Sequence, residues 1–399
     1  MGNWERNLSF TRSLKDVLAS DRDLGYRIIT VLPRSFDQDE IMVHEEDSSL
    51  EVGITKTRYK KIFIEVHELW VEYLQSKQSD HGVFLKDKQF ALLDLYDMTL
   101  GFLITTNENH SIFLLHESVL WQLHTKSEEP QAFLSQEFEV ITSYITSRLQ
   151  RVNKSSSLWH LIKQVSLVHI FDQLMQGDLE RIGLYRILIR RTLKSCQLHT
   201  TNYYASGFLN WCIRVNFLLQ ISPSISDEIK QAINGLQDEL RSMLTSITRS
   251  SVADMSMWLS LNVCCWERYG SGSETLDYII FEYNTLAENL RKRALKVMNF
   301  PYVEQHVDLS ISSSSWNCIR SQLEWLLSIH CTHLGPYDSI FTFAAKSSKL
   351  KELLDLLISF QKNIGVAAGG YQGGTVATQV TKDAFRAVIE KLQTKYKAS

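Results

Sequence analysis

Proline is nearly missing from this chain: 5 occur in 399 residues, and glycine is held to 17. An internal proline breaks a helix, so its scarcity leaves room for long uninterrupted helices and excludes a collagen-like chain. A surplus of positive charge is also lacking. Lys and Arg total 42 against 45 Asp and Glu, a net charge of −3, whereas a nucleic-acid binder needs cations to neutralise phosphates. No run of eighteen apolar residues is present, which excludes a membrane-spanning helix. The first twenty residues lack the apolar core and cleavage site of a signal peptide. Arg6 stands where a myristoylation signal after Gly2 wants Ser or Thr. The six cysteines (Cys196, Cys212, Cys264, Cys265, Cys318 and Cys331) make no C-x-x-C pair. No zinc site of the chain's own is expected, and the thiols read as small buried hydrophobes in a reducing cytoplasm.

What is there is a composition 44% hydrophobic and 22% charged, that of an ordinary globular protein. Residues 84–105, 129–151, 179–196 and 225–248 carry apolar side chains at three- and four-residue spacing, as amphipathic helices do. In the last, Ile225, Ile229, Ile233, Leu236, Leu240 and Leu244 form one stripe, with Ser226, Asp227 and Glu228 suited to a helix start. Residues 1–55 differ. Short alternating pieces around Pro33 and an acidic patch at Glu45, Glu46 and Asp47 read as an irregular arm with room for a hairpin, ahead of a helix from Lys56. Near the other end, the Gly-rich stretch 365–379 lacks the GK[ST] ending of a phosphate-binding loop and reads as a break before a last helix.

After each amphipathic helix comes a polar turn, then an aromatic that opens another apolar helix. These anchors are Phe113, Trp159, Trp211, Trp258 and Trp316, spaced 46, 52, 47 and 58 residues apart. Ser, Asn or Asp precedes each, as a helix N-cap requires. A two-helix hairpin cannot bury its apolar face alone, but five stacked hairpins can. The expected fold is all-α, a right-handed α-α superhelix of helical hairpins over residues 56–335. The arm 1–55 precedes it, and C-terminal helices with the Gly-rich break occupy 336–399. Tetratricopeptide repeats are the nearest rival, but the period here exceeds theirs and their Leu-Gly and Pro signatures are missing.

The second-helix pattern resembles the protein prenyltransferase alpha-subunit repeat, roughly Lys-Asn-Tyr-x-x-Trp-x-x-Arg. Asn109 through His116 match with Phe113 for Trp and His116 for Arg. Lys154 and Trp159 match in the second repeat. The third fits in two registers: Asn202-Tyr203 with Ser206 at the Trp position, or Trp211 with Arg214. Trp258 is followed by Leu261 in place of Arg, and Trp316 by Arg320 one place late. The arm segments Ile28–Pro33 and Ile41–Glu46 are similar to those of the fungal and other prenyltransferase alpha-subunit repeat-containing proteins. The resemblance implies the alpha subunit of a type III protein geranylgeranyltransferase. Such a chain pairs with a Rab-type beta subunit that holds the zinc and adds geranylgeranyl, from its diphosphate, to a C-terminal cysteine of a farnesylated SNARE. It carries no cofactor of its own.

By the same resemblance, Lys154 contacts the isoprenoid diphosphate, where positive charge stabilises the departing pyrophosphate. Tyr203, Tyr204 and His110 line the substrate cleft, and Arg214 and Arg320 bond between repeats. Each has a plainer reading from the residues alone: Lys154 as a solvated lysine in a capping turn, the tyrosines as packing between hairpins, the aromatics as core. The competing function is a non-catalytic helical-repeat scaffold that binds another protein. An independent enzyme is disfavoured because no nucleophile, base and orienting group recur at recognisable spacing.

Overall fold

The computed structural model describes residues 8–20, 25–33, 35–36, 40–46, 49–78, 91–266, 273–300, 312–367 and 376–397. The start of the helix expected at 84, Asp47 and the centre of the Gly-rich break fall outside them. In chain order the elements are α1 (Ser9–Leu18), β1 (Tyr26–Val31), β2 (Ile41–Glu46), β3 (Ser49–Ile54), α2 (Lys56–Gln78), α3 (Leu92–Thr105), α4 (His110–Lys126), α5 (Pro130–Ile145) and the short α6 (Gln150–Asn153). Then α7 (Ser156–Ser166) runs through a π-helical turn, Leu167–Phe171, into α8 (Asp172–Met175). The rest are α9 (Arg181–Leu198), α10 (Tyr203–Ile221), α11 (Asp227–Ser250), α12 (Met255–Cys265), α13 (Ser273–Arg291), α14 (Ser313–Ser328), α15 (Leu334–Lys346), α16 (Leu350–Ala367) and α17 (Val376–Lys397). The fold is thus helical throughout, with one small sheet.

That sheet makes the N-terminal region more regular than its sequence suggests. Its order is β1-β3-β2, with β2 and β3 antiparallel, the hairpin the alternation allows, and β1 parallel to β3. Ile28 and Ile29 of β1 and Leu50, Val52 and Ile54 of β3 are buried. The outer edge of β1 is covered by the turn that ends α5. Arg148 donates its backbone N–H to the Ile29 carbonyl at 2.8 Å, and the Ser147 hydroxyl donates to the same carbonyl at 3.3 Å. An edge covered in this way offers no template for strand pairing.

The chain divides into two compact units, and α10, α11 and α13 contribute to both. The first comprises residues 1–209, 223–232 and 281–301; the second comprises 210–222, 233–280 and 302–399. In the first, α1, α2 and α3 meet at Gly101, where a Cβ would come within 2.6 Å of Val66 Cγ1 and 2.7 Å of Thr11 Oγ1. Only glycine permits that approach. The α11 stripe from Ile225 to Leu244 is buried along its whole length, and the Ser226 hydroxyl accepts from the Ile229 N–H as a start cap.

Candidate functional site

The second helices of the hairpins begin alike. Asn109 Oδ1 accepts from the N–H groups of Ser111 and Ile112, Ser155 Oγ from Leu158, Asn202 Oδ1 from Ala205, Asp254 Oδ1 from Ser256 and Ser312 Oγ from Ser315. Each satisfies backbone donors that a helix start leaves open. Four residues after the cap stand Phe113, Trp159, Trp258 and Trp316, all buried. The same count from Asn202 arrives at Ser206, which selects the first of the two registers for the third repeat. Trp211 is buried one helical turn and a half further on. The indole of Trp159 donates to the Asn153 carbonyl at 2.7 Å and that of Trp258 to the Val252 carbonyl at 2.9 Å, each six residues back. These two indoles therefore brace their own turns, whereas that of Trp316 donates to Glu352 Oε1 of α16 at 2.8 Å.

Asparagines join the turns of the first unit to one another. Asn107 Nδ2 donates to the Arg151 carbonyl at 2.7 Å. Asn202 Nδ2 donates to Asn153 Oδ1 at 2.6 Å, and Asn153 Nδ2 to Ser195 Oγ at 2.8 Å. Asn153 and Asn202 are buried, yet the residues just beyond the caps face outward. His110, Ser156 and Tyr203 open α4, α7 and α10 and are all exposed; so are Leu114, His160 and Gly207 four residues later. Residues four apart share a helix face. Tyr203 is 75% and Tyr204 51% exposed, too open to be packing between hairpins.

Lys154 lies in the turn before α7, where its ammonium donates to the Thr200 carbonyl at 3.0 Å, three residues before Tyr203. It bridges two hairpin turns. His199 stands beside it with its Nε2 3.2 Å from the Ser147 carbonyl; burial, and secondarily the Lys154 charge, lowers its pKa. Lys154 and Tyr203 thus belong to one edge, and His110 opens the second helix of an earlier hairpin. Arg214 lies half-buried in α10. Arg320 pairs with carboxylates, Glu324 at 3.0 Å on its own helix and Glu352 of α16 at 3.5 Å.

Sequence reasoning missed the polar groups buried in the first unit. Glu137 of α5 is fully buried; the Tyr96 hydroxyl donates to its Oε2, and His116 Nε2 lies 3.0 Å from its Oε1. His116 Nδ1 is 2.8 Å from Thr99 Oγ1. Burial, reinforced by Glu137, holds the Tyr96 phenol well above its usual pKa. Arg27 and Arg191 share Glu139, at 2.7 and 2.8 Å. In the π-helical turn, His169 sits between Ser135 Oγ (3.1 Å) and Gln131 Oε1 (2.8 Å), and burial, aided by Arg181 and His124, lowers its pKa to about 3. These groups are scattered along the chain, and no spacing announces them. The Glu137 and His169 clusters are closed networks, suited to fixing the core.

The second unit holds a cleft of about 340 Å³, lined by α10, α11 and the segments entering and leaving α12 and α14. Asn216 Nδ2 donates to Gln237 Oε1 at 3.1 Å, and Gln237 Nε2 to the Cys264 carbonyl at 3.0 Å. Arg241, paired with Asp238 at 2.8 Å, Phe217 and Trp266 complete the wall. Among the described residues, no group of three or more His, Cys, Asp and Glu could hold a metal ion, and no helix is long and apolar enough to cross a membrane.

Two family models match the chain: the ECM9 N-terminal domain over residues 5–146 and the ECM9 middle domain over residues 158–290. Protein ECM9 of Saccharomyces cerevisiae is 30% identical over 172 residues, which cover 42% of this chain and 41% of that protein. The matched stretch is thus less than half the length of that relative. No solved structure matches. These matches point to the ECM9 family. They overturn the assignment to the prenyltransferase alpha-subunit group and, with it, the expectation of a geranylgeranyltransferase acting on a SNARE. The physical source of the resemblance is visible in the turns. A capped helix start followed by a buried aromatic serves any stack of helical hairpins, and the Arg that distinguishes the prenyltransferase pattern is missing or displaced in the repeats whose register is fixed.

Proposed function

We propose that this ECM9-like chain is a helical scaffold that docks a partner protein on the edge formed by the starts of α4, α7 and α10. The observation that carries this reading is the contrast at Asn202. Its side chain is buried and bonded to the previous hairpin, while the next two residues, Tyr203 and Tyr204, stand out from the surface. Exposed tyrosines on a rigid base lose little conformational freedom when covered, and tyrosine is enriched where proteins bind one another. Imidazoles of His110 and His160 and the apolar Leu114 extend the same face. Six cysteines, none of them in a disulfide, support placing the chain in the cytoplasm.

The test is affinity purification of the full chain with a photo-crosslinking residue at position 203. A single protein should be captured there and not by the same residue at Leu93, an exposed position of α3. The double change Tyr203→Ala, Tyr204→Ala should lower its recovery at least about tenfold, the loss of roughly 1.4 kcal/mol of binding, with the unfolding midpoint unchanged. Equal capture at both positions, or unchanged recovery by the double variant, removes the docking edge.

A further inference from the structure

Cys265 ends α12, and Cys318 lies in the second turn of α14, which packs against α12 within the second unit. Their side chains are in hydrogen-bond contact. From α11, Thr245 Oγ1 approaches Cys318 Sγ at 3.3 Å. Arg241 and Arg249 stand one turn on either side of Thr245, on the same helix face, and both bring positive charge to Cys318. Arg249 is fixed there by its Nε, which donates to Gln322 Oε1 of α14 at 2.8 Å. Asp238 pairs with Arg241 at 2.8 Å. The two thiols differ in access: Cys265 is fully buried and Cys318 partly exposed.

Their protonation differs in the same sense. The hydrogen bond from Cys265, helped by Thr245 and the two arginines, outweighs burial and pulls the Cys318 thiol down to about 6. The same contact, together with burial, raises Cys265 well above its usual value. A thiolate beside guanidinium groups and partly open to solvent is the arrangement of a reactive cysteine, and a thiol in contact with it can resolve its oxidised form.

We propose that Cys318 and Cys265 form a hydroperoxide-responsive dithiol, in which Cys318 reacts first and Cys265 closes a disulfide between α14 and α12. In the first step the Cys318 thiolate attacks one peroxide oxygen, the O–O bond breaks, and the departing alkoxide or hydroxide takes up a proton. The sulfur is oxidised to a sulfenic acid and the hydroperoxide reduced to an alcohol or water. In the second step the Cys265 sulfur attacks the Cys318 sulfur, the S–O bond breaks, and water leaves with the Cys265 proton. Two thiols and one hydroperoxide thus give a disulfide, an alcohol and water, and a dithiol reductant reverses the change. Trp266 follows Cys265 directly, and Ser314 precedes Cys318 by one turn. Both line the cleft, so the disulfide acts on two of its walls.

The experiment treats the reduced full-length chain with hydrogen peroxide at equimolar dose, blocks remaining thiols under denaturing conditions, and maps the peptides. The expected result is one linkage, Cys265 to Cys318, lost on reduction, with Cys196 and Cys212 fully blocked. In Cys265→Ser, dimedone should instead trap a sulfenic acid at Cys318. A second measurement needs no variant. The alkylation rate of native Cys318 should change less than about twofold from pH 7 to 9, where an ordinary thiol rises about twentyfold. Free Cys265 and Cys318 after oxidation, a dominant linkage to Cys264, or an ordinary pH profile at Cys318 overturns the proposal.

Discussion

In the first unit a carboxylate, Glu137, lies fully buried between a phenol and an imidazole, and the arginines Arg27 and Arg191 close on Glu139 from two sides. In the second unit the cleft is walled by the buried amides Asn216 and Gln237, joined by a neutral hydrogen bond, and by Arg241, whose carboxylate partner Asp238 is largely exposed. The first arrangement is dry. A charge there has its partners or is ruinously solvated, so any change in one member is felt by the others. The second opens on a cleft where water can replace a lost partner. Closed ionic networks fix a scaffold, and networks that open on a cleft leave side chains free to react or bind. The docking edge belongs to the fixed unit, and the dithiol to the yielding one.

The largest effect should come from breaking the Glu137 cluster. Glu137→Ala leaves the Tyr96 hydroxyl and His116 without their acceptor inside the core and opens a cavity. A loss of about 3–5 kcal/mol in urea unfolding is expected. Glu137→Gln keeps an acceptor and should cost about half as much or less. Equal costs for the two variants would mean that Glu137 contributes by volume alone, and the contrast between the units would lose its electrostatic content.

Protonation provides a second break. His169 is held neutral in the folded chain, with its pKa lowered to about 3 from 6.5, and faces Arg181, His124 and Asp178. Between those values the unfolded chain binds a proton that the folded chain refuses, so stability falls as the pH drops below 6.5 and is fully present above it. At pH 5 the loss is about 2 kcal/mol. Burial lowers His124 and His160 as well, which acts in the same direction. Burial raises the carboxyl pKa values of Glu65 and Asp172, which acts in the opposite one. Comparing the chain with His169→Gln isolates the term: the variant should lose about 2 kcal/mol less between pH 7 and pH 5. An unchanged slope would place His169 in contact with water.

Much of the scaffold was legible because its signals are local. The Ile225–Leu244 stripe, the cap at Ser226 and the polar turn before each aromatic all lie within a few residues, and the helices follow them. The parallel pairing of β1 with β3 was not legible, since it depends on the α5 turn, over a hundred residues away, covering the outer edge. The Glu137 cluster joins residues 96, 99, 116 and 137, and the dithiol joins 265 to 318; neither has a spacing that marks it. At Asn202 the sequence allowed two registers, and the cap chose between them because Asn202 has somewhere to bond, on Asn153. The candidate site was half visible. Lys154, Tyr203 and Tyr204 were singled out through a resemblance that the family matches overturn, yet the lysine bridges to the turn that the tyrosines follow.

The smallest expected effect lies in the second unit and bears most directly on its openness. Gln237→Ala removes the acceptor of Asn216 Nδ2 and the donor to the Cys264 carbonyl. In a dry site, two unsatisfied polar groups would cost about 2–6 kcal/mol, at 1–3 each. Here Asn216 and Gln237 line the cleft, so water entering the space left by the Gln237 side chain can reach both groups. A cost of about 1 kcal/mol is expected in urea unfolding, several times less than for Glu137→Ala. Although Cys264 adjoins Cys265, water replacing the lost bond should leave the dithiol intact and its peroxide linkage formed. A cost as large as that of Glu137→Ala would show that the cleft is sealed from solvent, and the distinction between a dry unit and an open one would fail.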